Sequence, residues 1–205
     1  MDKKRAIKIL HDNMSSTNLR RHCYAVSHAL GGIYDYLERE GKLESSPSTG
    51  SGQISKREIW EVLGILHDAD YELTKNDWTK HTILTLKWIE DEGVSKEDPL
   101  YKAIESHNNK VTKLREPQTQ MEWALECCDE LTGFIVAVAL VKDKKLSNVD
   151  VPSILKKWNQ KAFAGGVDRK QIEQCSEKLS IPLETFVGIV LKAMQENSRE
   201  LGLQS

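Results

Sequence analysis

Residues 119–142 read TQMEWALECCDELTGFIVAVALVK, and this stretch decides the fold. It is the most apolar part of the chain, it contains no proline, and its apolar positions recur at helical spacing over about six turns. Leu125, Asp129, Val136 and Leu140 follow one face, so the central helix carries an acid among apolar neighbours. Its longest apolar run, FIVAVALV at 134–141, is far shorter than the roughly 18 residues of a membrane span.

Working outward, the same helical period recurs almost everywhere, and no alternating strand pattern of useful length interrupts it. Helices are expected at about 2–13, at 17–39 behind the caps Ser15 and Ser16, and from a Ser55/Glu58 capping box to Leu66. Two more are expected at about 79–92, ending at Gly93, and from Asp98-Pro99 to about Asn108. After the central helix, the spacing predicts helices at 151–160, 168–179 and 182–200. The fold class is therefore all-α, with eight or nine helices. Residues 1–142 form a helical domain, 143–205 form a helical extension packed on it, and the Ser/Gly-rich 41–55 forms a flexible surface loop.

Composition limits the possible functions. The 205 residues are 39% hydrophobic and 29% charged, enough to bury a core and unlike a disordered tail. Lys plus Arg number 29 against 31 Asp plus Glu, a formal charge of −2, which argues against duplex nucleic acid as a partner. The one local asymmetry is 142–170, where eight basic residues face three acids and could meet an anionic ligand. Four unevenly spaced cysteines and a charged amino terminus without signal-peptide features predict a soluble cytoplasmic protein with no membrane association.

Four of the six histidines, His22, His67, His81 and His107, fall on or at the end of apolar helical faces. Taken singly, each reads as a hydrogen-bonded core imidazole. Asp129 changes that reading, because an ionised carboxylate buried without a partner costs several kcal/mol and no Lys or Arg shares its face. His67-Asp68 sits where a helix ends, so both side chains can turn toward one point. The ordered set His22, His67-Asp68, His81, His107 and Asp129 suits one or two divalent cations in a bundle core.

This set and its order resemble the HD-domain metal-dependent phosphohydrolases over about 17–141. More narrowly, LHDADYE (66–72), KH (80–81), IESHN (104–108), DELTGFIVAVALV (129–141) and KAFAGGVDR (161–169) resemble a group of prokaryotic proteins classed as HD-superfamily hydrolases. The resemblance implies an HD-type bundle in which His22, His67, Asp68 and Asp129 hold one metal. It further implies that Asp68 bridges to a second metal on His81 and His107, a site absent from mononuclear relatives. The chain departs from the frequent His-Asp-x-Gly-Lys form, with Asp70-Tyr71 in place of Gly-Lys. Mn, Fe, Zn, Ni and Mg are not distinguished by such ligands.

The expected chemistry is attack by metal-activated water on a nucleotide or other small phosphate ester or anhydride. Asp68, Asp70 and Glu72 are the expected catalytic acids, with Asp70 and Glu72 orienting water, protonating a leaving group or supporting the ligands. Arg21, Lys157, Lys161 and Arg169 are the expected contacts to a small anionic, phosphorylated substrate. Two other readings are a di-iron oxygenase of the same fold and a non-catalytic, metal-stabilised ligand-binding module.

Overall fold

The computed structural model describes residues 1–44 and 54–204; most of the expected loop at 41–55 thus lies outside the described residues. Every regular element among them is helical. The α-helices are α1 (Lys3–Asn13), α2 (Thr17–Arg39), α3 (Lys56–Leu66), α4 (Tyr71–Thr74), α5 (Ile83–Asp91), α6 (Pro99–Ser106), α7 (Asn109–Thr112), α8 (Gln120–Leu140), α9 (Val151–Trp158), α10 (Arg169–Glu173), α11 (Cys175–Lys178) and α12 (Leu183–Glu196). Two 3-10 turns, Trp78–Lys80 and Leu146–Asn148, complete the set. No described helix is long and apolar enough to cross a membrane.

Local chemistry explains most boundaries. Asp2, Ser16 and Ser55 each accept a backbone N–H inside the first turn of their helix. Thr119 and Glu122 form a complete capping box on α8, as do Asp150 and Ser153 on α9. At Ser55 the box is half made: Glu58 accepts instead from the backbone N of Lys3 at 3.1 Å, which ties the start of α1 to α3.

Helix α2 is the hub, packed against α3, α12 and α8. Gly64 lets α3 cross it closely, since a Cβ there would lie 2.4 Å from the Cα of Ser27. Gly32 does the same for α12, whose Ala193 methyl would stand 3.1 Å from an added Cβ. Leu30, Ile33, Leu63, Leu66, Phe134 and Phe186 are fully enclosed in a core that joins the first 142 residues to the last helices.

Four expectations need correction. The helix expected at 79–92 is broken at Thr82, which adopts a left-handed conformation (φ 77°), so His81 precedes α5 rather than riding on it. The expected 168–179 helix is interrupted at Gln174, and that expected at 182–200 stops at Glu196. On α8, Leu125 is buried but Leu140 is 52% exposed, because Val138 and Ala139 face the core there and Leu140 turns away from it. The face read as wholly inward is buried only over its first half.

Candidate metal centre

Each ligand candidate stands where a helix begins, ends or crosses another. His22 lies in the first half of α2, His67 caps α3, Asp68 follows it, His81 precedes α5, His107 caps α6, and Asp129 lies midway along α8. Helix ends supply this geometry because side chains there are released from the 3.6-residue period and can converge from several directions. All six residues expected from the sequence come together, in overlapping groups whose donor atoms lie within 4.8 Å of one another.

Asp68 is the hub of the cluster. Its Oδ1 is 3.1 Å from His81 Nε2 and 3.5 Å from His107 Nε2. Its Oδ2 is 3.6 Å from His22 Nε2 and 3.7 Å from His67 Nε2. Asp129 Oδ1 joins the second pair, 2.9 Å from His22 Nε2 and 3.5 Å from His67 Nε2. One carboxylate thus faces two sets of imidazoles with two different oxygens.

Three of the imidazoles are fixed from behind. The Nδ1–H of His67 donates to the Gly64 carbonyl at 2.8 Å, that of His81 to Asp70 Oδ1 at 2.7 Å, and that of His107 to Glu126 Oε1 at 3.1 Å. Each bond places a proton on Nδ1 and turns Nε2 toward Asp68, so that Nε2 is the atom left to bind a metal once its own proton is displaced.

Electrostatics keep both aspartates ionised. Burial opposes charge on Asp68, but the charge of His67 and the hydrogen bonds of His107 and His81 hold its carboxyl well below the usual range. Burial likewise opposes charge on Asp129, and hydrogen bonds from His22 and His67 lower its pKa. Burial also works against the protonated form of His22, yet the hydrogen bond and charge of Asp129, with the charge of Asp68, raise it to about 9. Protons therefore occupy positions for which a divalent cation can compete. Buried borderline nitrogen donors and hard carboxylate oxygens fit a cation such as Mn²⁺, Fe²⁺, Zn²⁺ or Ni²⁺.

The flanking acids have other tasks. Asp70 is fully buried, and besides His81 it accepts the backbone N–H groups of Thr82, Leu84 and Thr85, each at 3.1 Å. With both oxygens engaged, it positions His81 and does not reach a substrate, so of the roles expected for it only support of a ligand remains. Glu72 is displaced altogether: its carboxylate accepts Ser15 N, Ser16 N and Ser15 Oγ at 2.7, 3.0 and 2.8 Å, fastening the α1–α2 turn.

A cleft of about 430 Å³ opens over Asp68, His81, His107 and Asp129, walled by Tyr71, Trp78 and Trp123, with Lys110 as its lining lysine. None of the four basic residues expected to hold substrate lines it. Arg169 instead donates to the carbonyls of Trp158, Gln160, Phe163, Ala164 and Val167 while lying 4.8 Å over the Phe134 ring, which staples the chain before α10. Lys157 Nζ sits 5.1 Å over Phe163, Lys161 is exposed, and Arg21 lines a different cavity.

Two residues near the site carried no signal in the sequence. Glu126 holds His107 and in turn accepts Gln171 Nε2 at 3.0 Å, linking α10 to the cluster. Glu126 lies three residues before Asp129 on α8, and that helical offset was the only hint available. No protein-family model, curated protein or solved structure significantly matches this chain.

Proposed function

We propose that the protein is a metal-dependent phosphohydrolase of the HD type, acting on a nucleotide or another small phosphate ester or anhydride. The observation that carries this reading is the double-faced Asp68, with His22 and His67, which Asp129 also approaches, near one oxygen and His81 and His107 near the other. Such an arrangement suits two cations sharing one carboxylate. A divalent cation there supplies Lewis acidity, lowering the pKa of a water molecule and offsetting charge on the phosphoryl oxygens of an in-line displacement.

The protein's own residues provide the rest. Gly64, Asp70 and Glu126 hold three imidazoles in the productive tautomer and orientation, which removes reorganisation cost when the ligands are engaged. Tyr71, Trp78 and Trp123 give the cleft aromatic walls that exclude water from the phosphoryl group and pack against the rest of the substrate. In the absence of a lysine after the His-Asp pair, the phosphate contact falls to Lys110, which lines the cleft and would exchange its 3.0 Å ion pair with Asp168 for the substrate.

The test is elemental analysis of protein prepared without chelator or metal-affinity column, followed by a phosphate-release screen over nucleotides and dinucleoside polyphosphates. About two equivalents of Mn, Zn or Ni together with phosphate release that Asp68→Ala abolishes support the proposal. Two irons with oxygen uptake and no phosphate release move the assignment to oxygen chemistry. A protein that takes up no added Mn²⁺ or Fe²⁺ is a helical binding module instead.

A further inference from the structure

A second cavity, of about 560 Å³, lies among α2, α8 and the C-terminal turn. It shares no lining residue with the cleft over Asp68, although it reaches His22, which contacts Asp68 and Asp129 of that cleft. This volume lies within the roughly 300–1,000 Å³ usual for small-ligand pockets. Val136, Leu140, Leu201 and Leu203 give it an aliphatic wall, Arg21 and Lys144 are its arginine and lysine, and His22 of the imidazole cluster lines it as well.

The cavity is held open by specific contacts. Leu146 N donates to Leu203 O at 3.0 Å, Gln195 Nε2 donates to the carbonyls of Leu146 and Val149 at 2.9 Å, and Glu200 meets His28 Nε2 at 2.6 Å. Together they fasten the chain after α12 against α2 and the α8–α9 connection. Gly202 adopts φ 69° against the Arg21 side chain, where a Cβ would lie 2.4 Å from the guanidinium carbon. A side chain at this position would displace the guanidinium, so the glycine leaves room for the present placement of Arg21.

Neither cation is neutralised. Among the described residues no carboxylate lies within ion-pair distance of Arg21 or Lys144: Glu200 pairs with His28, and Asp150 with Lys142. Arg21 is only partly exposed, and Leu140, 52% exposed, adds apolar surface on the cavity wall. Two unpaired cations beside an aliphatic wall are complementary to one kind of small molecule, an anionic head on an apolar chain.

We propose that this cavity binds an amphiphilic anion, a phosphate- or carboxylate-headed aliphatic chain, with Arg21 and Lys144 on the head and Val136, Leu140, Leu201 and Leu203 along the chain. The site adjoins the imidazole cluster at His22, but its proposed ligand does not depend on the phosphohydrolase reading.

Calorimetric titration with octylphosphonate, which has no hydrolysable ester, tests it, with methylphosphonate and octanol as the head-only and tail-only controls. Octylphosphonate is expected to bind at least about tenfold more tightly than either. Arg21→Gln is expected to weaken it about tenfold, with smaller losses in Lys144→Ala and Leu140→Gln. Lys110→Ala, in the other cleft, leaves the affinity unchanged. Lys144 and Leu140 are exposed, so their variants read the same contacts if Arg21→Gln does not fold. Equal affinity for octylphosphonate and methylphosphonate overturns the proposal, as does no binding. A loss confined to Lys110→Ala places the ligand over the metal cluster and overturns it too.

Discussion

In the cleft above Asp68, three imidazoles are anchored from behind and both aspartates are surrounded by imidazole donors; in the cavity beside Arg21, which His22 also lines, Arg21 and Lys144 face aliphatic side chains with no carboxylate at ion-pair distance among the described residues. The first region has its polar groups satisfied by one another, which favours a ligand that replaces protons, namely a cation. The second leaves positive charge unmet, which favours a ligand that brings an anion. What decides the chemistry of each cavity is the bonding state of its polar side chains rather than their number.

The strongest way to break this contrast is Asp68→Ala. Removing the carboxylate that faces both imidazole sets is expected to lower metal content from about two equivalents to below one, and turnover by about a thousandfold or more. A folded variant with full activity sinks the proposed site. Asp70→Asn sharpens the same side of the comparison, because it weakens the bond that aims His81 without touching the cluster. Metal affinity is expected to fall by about 10–100-fold at unchanged helical content, followed by titration against a competing chelator.

Gly64→Ala tests whether the close crossing of α2 and α3 is what brings His67 to His22. The new methyl has no room beside Ser27, so a stability loss of about 1–3 kcal/mol is expected in urea unfolding. Metal affinity should drop with it; unchanged stability would mean that the two helices adjust freely.

The pH dependence follows from His22. Its pKa is raised from an unfolded 6.5 to about 9, so its contribution to the metal-free fold is complete below pH 6.5 and is lost as the pH rises through 9. A cation needs the same nitrogen deprotonated, so the rise in melting temperature on adding Mn²⁺ should grow between those two values. A rise that is flat across that window would detach His22 from the cation. The smallest effect belongs to Glu72→Gln, which should leave metal content and turnover unchanged, since that carboxylate fastens the α1–α2 turn; a large fall in turnover would return it to the reaction.

The ligands were legible in the sequence because burial of a charged or imidazole group on an apolar face is costly and therefore conspicuous against the helical period. His22, His67, His107 and Asp129 all stand out in this way. His81 was legible for a partly mistaken reason, as a residue on a helix face, when the break at Thr82 is what frees it. Glu126 and Gln171 left no comparable mark: each is an ordinary polar residue on a polar face, and its task is set by a partner on another helix. Arg169 looked like a phosphate contact because charge alone cannot show that five carbonyls already surround the guanidinium.

The sequence by itself determined the helical class, the central place of 119–142 and the identity of the six clustered His and Asp residues, since periodicity and the cost of buried charge are local properties. Only the tertiary structure decided that Asp68 faces two imidazole sets, that Asp70 and Glu126 stand behind His81 and His107, and that Arg21 lines a second cavity on the other side of His22. Those facts depend on the directions in which helix ends release their side chains, and on which backbone groups are left unpaired where distant segments meet.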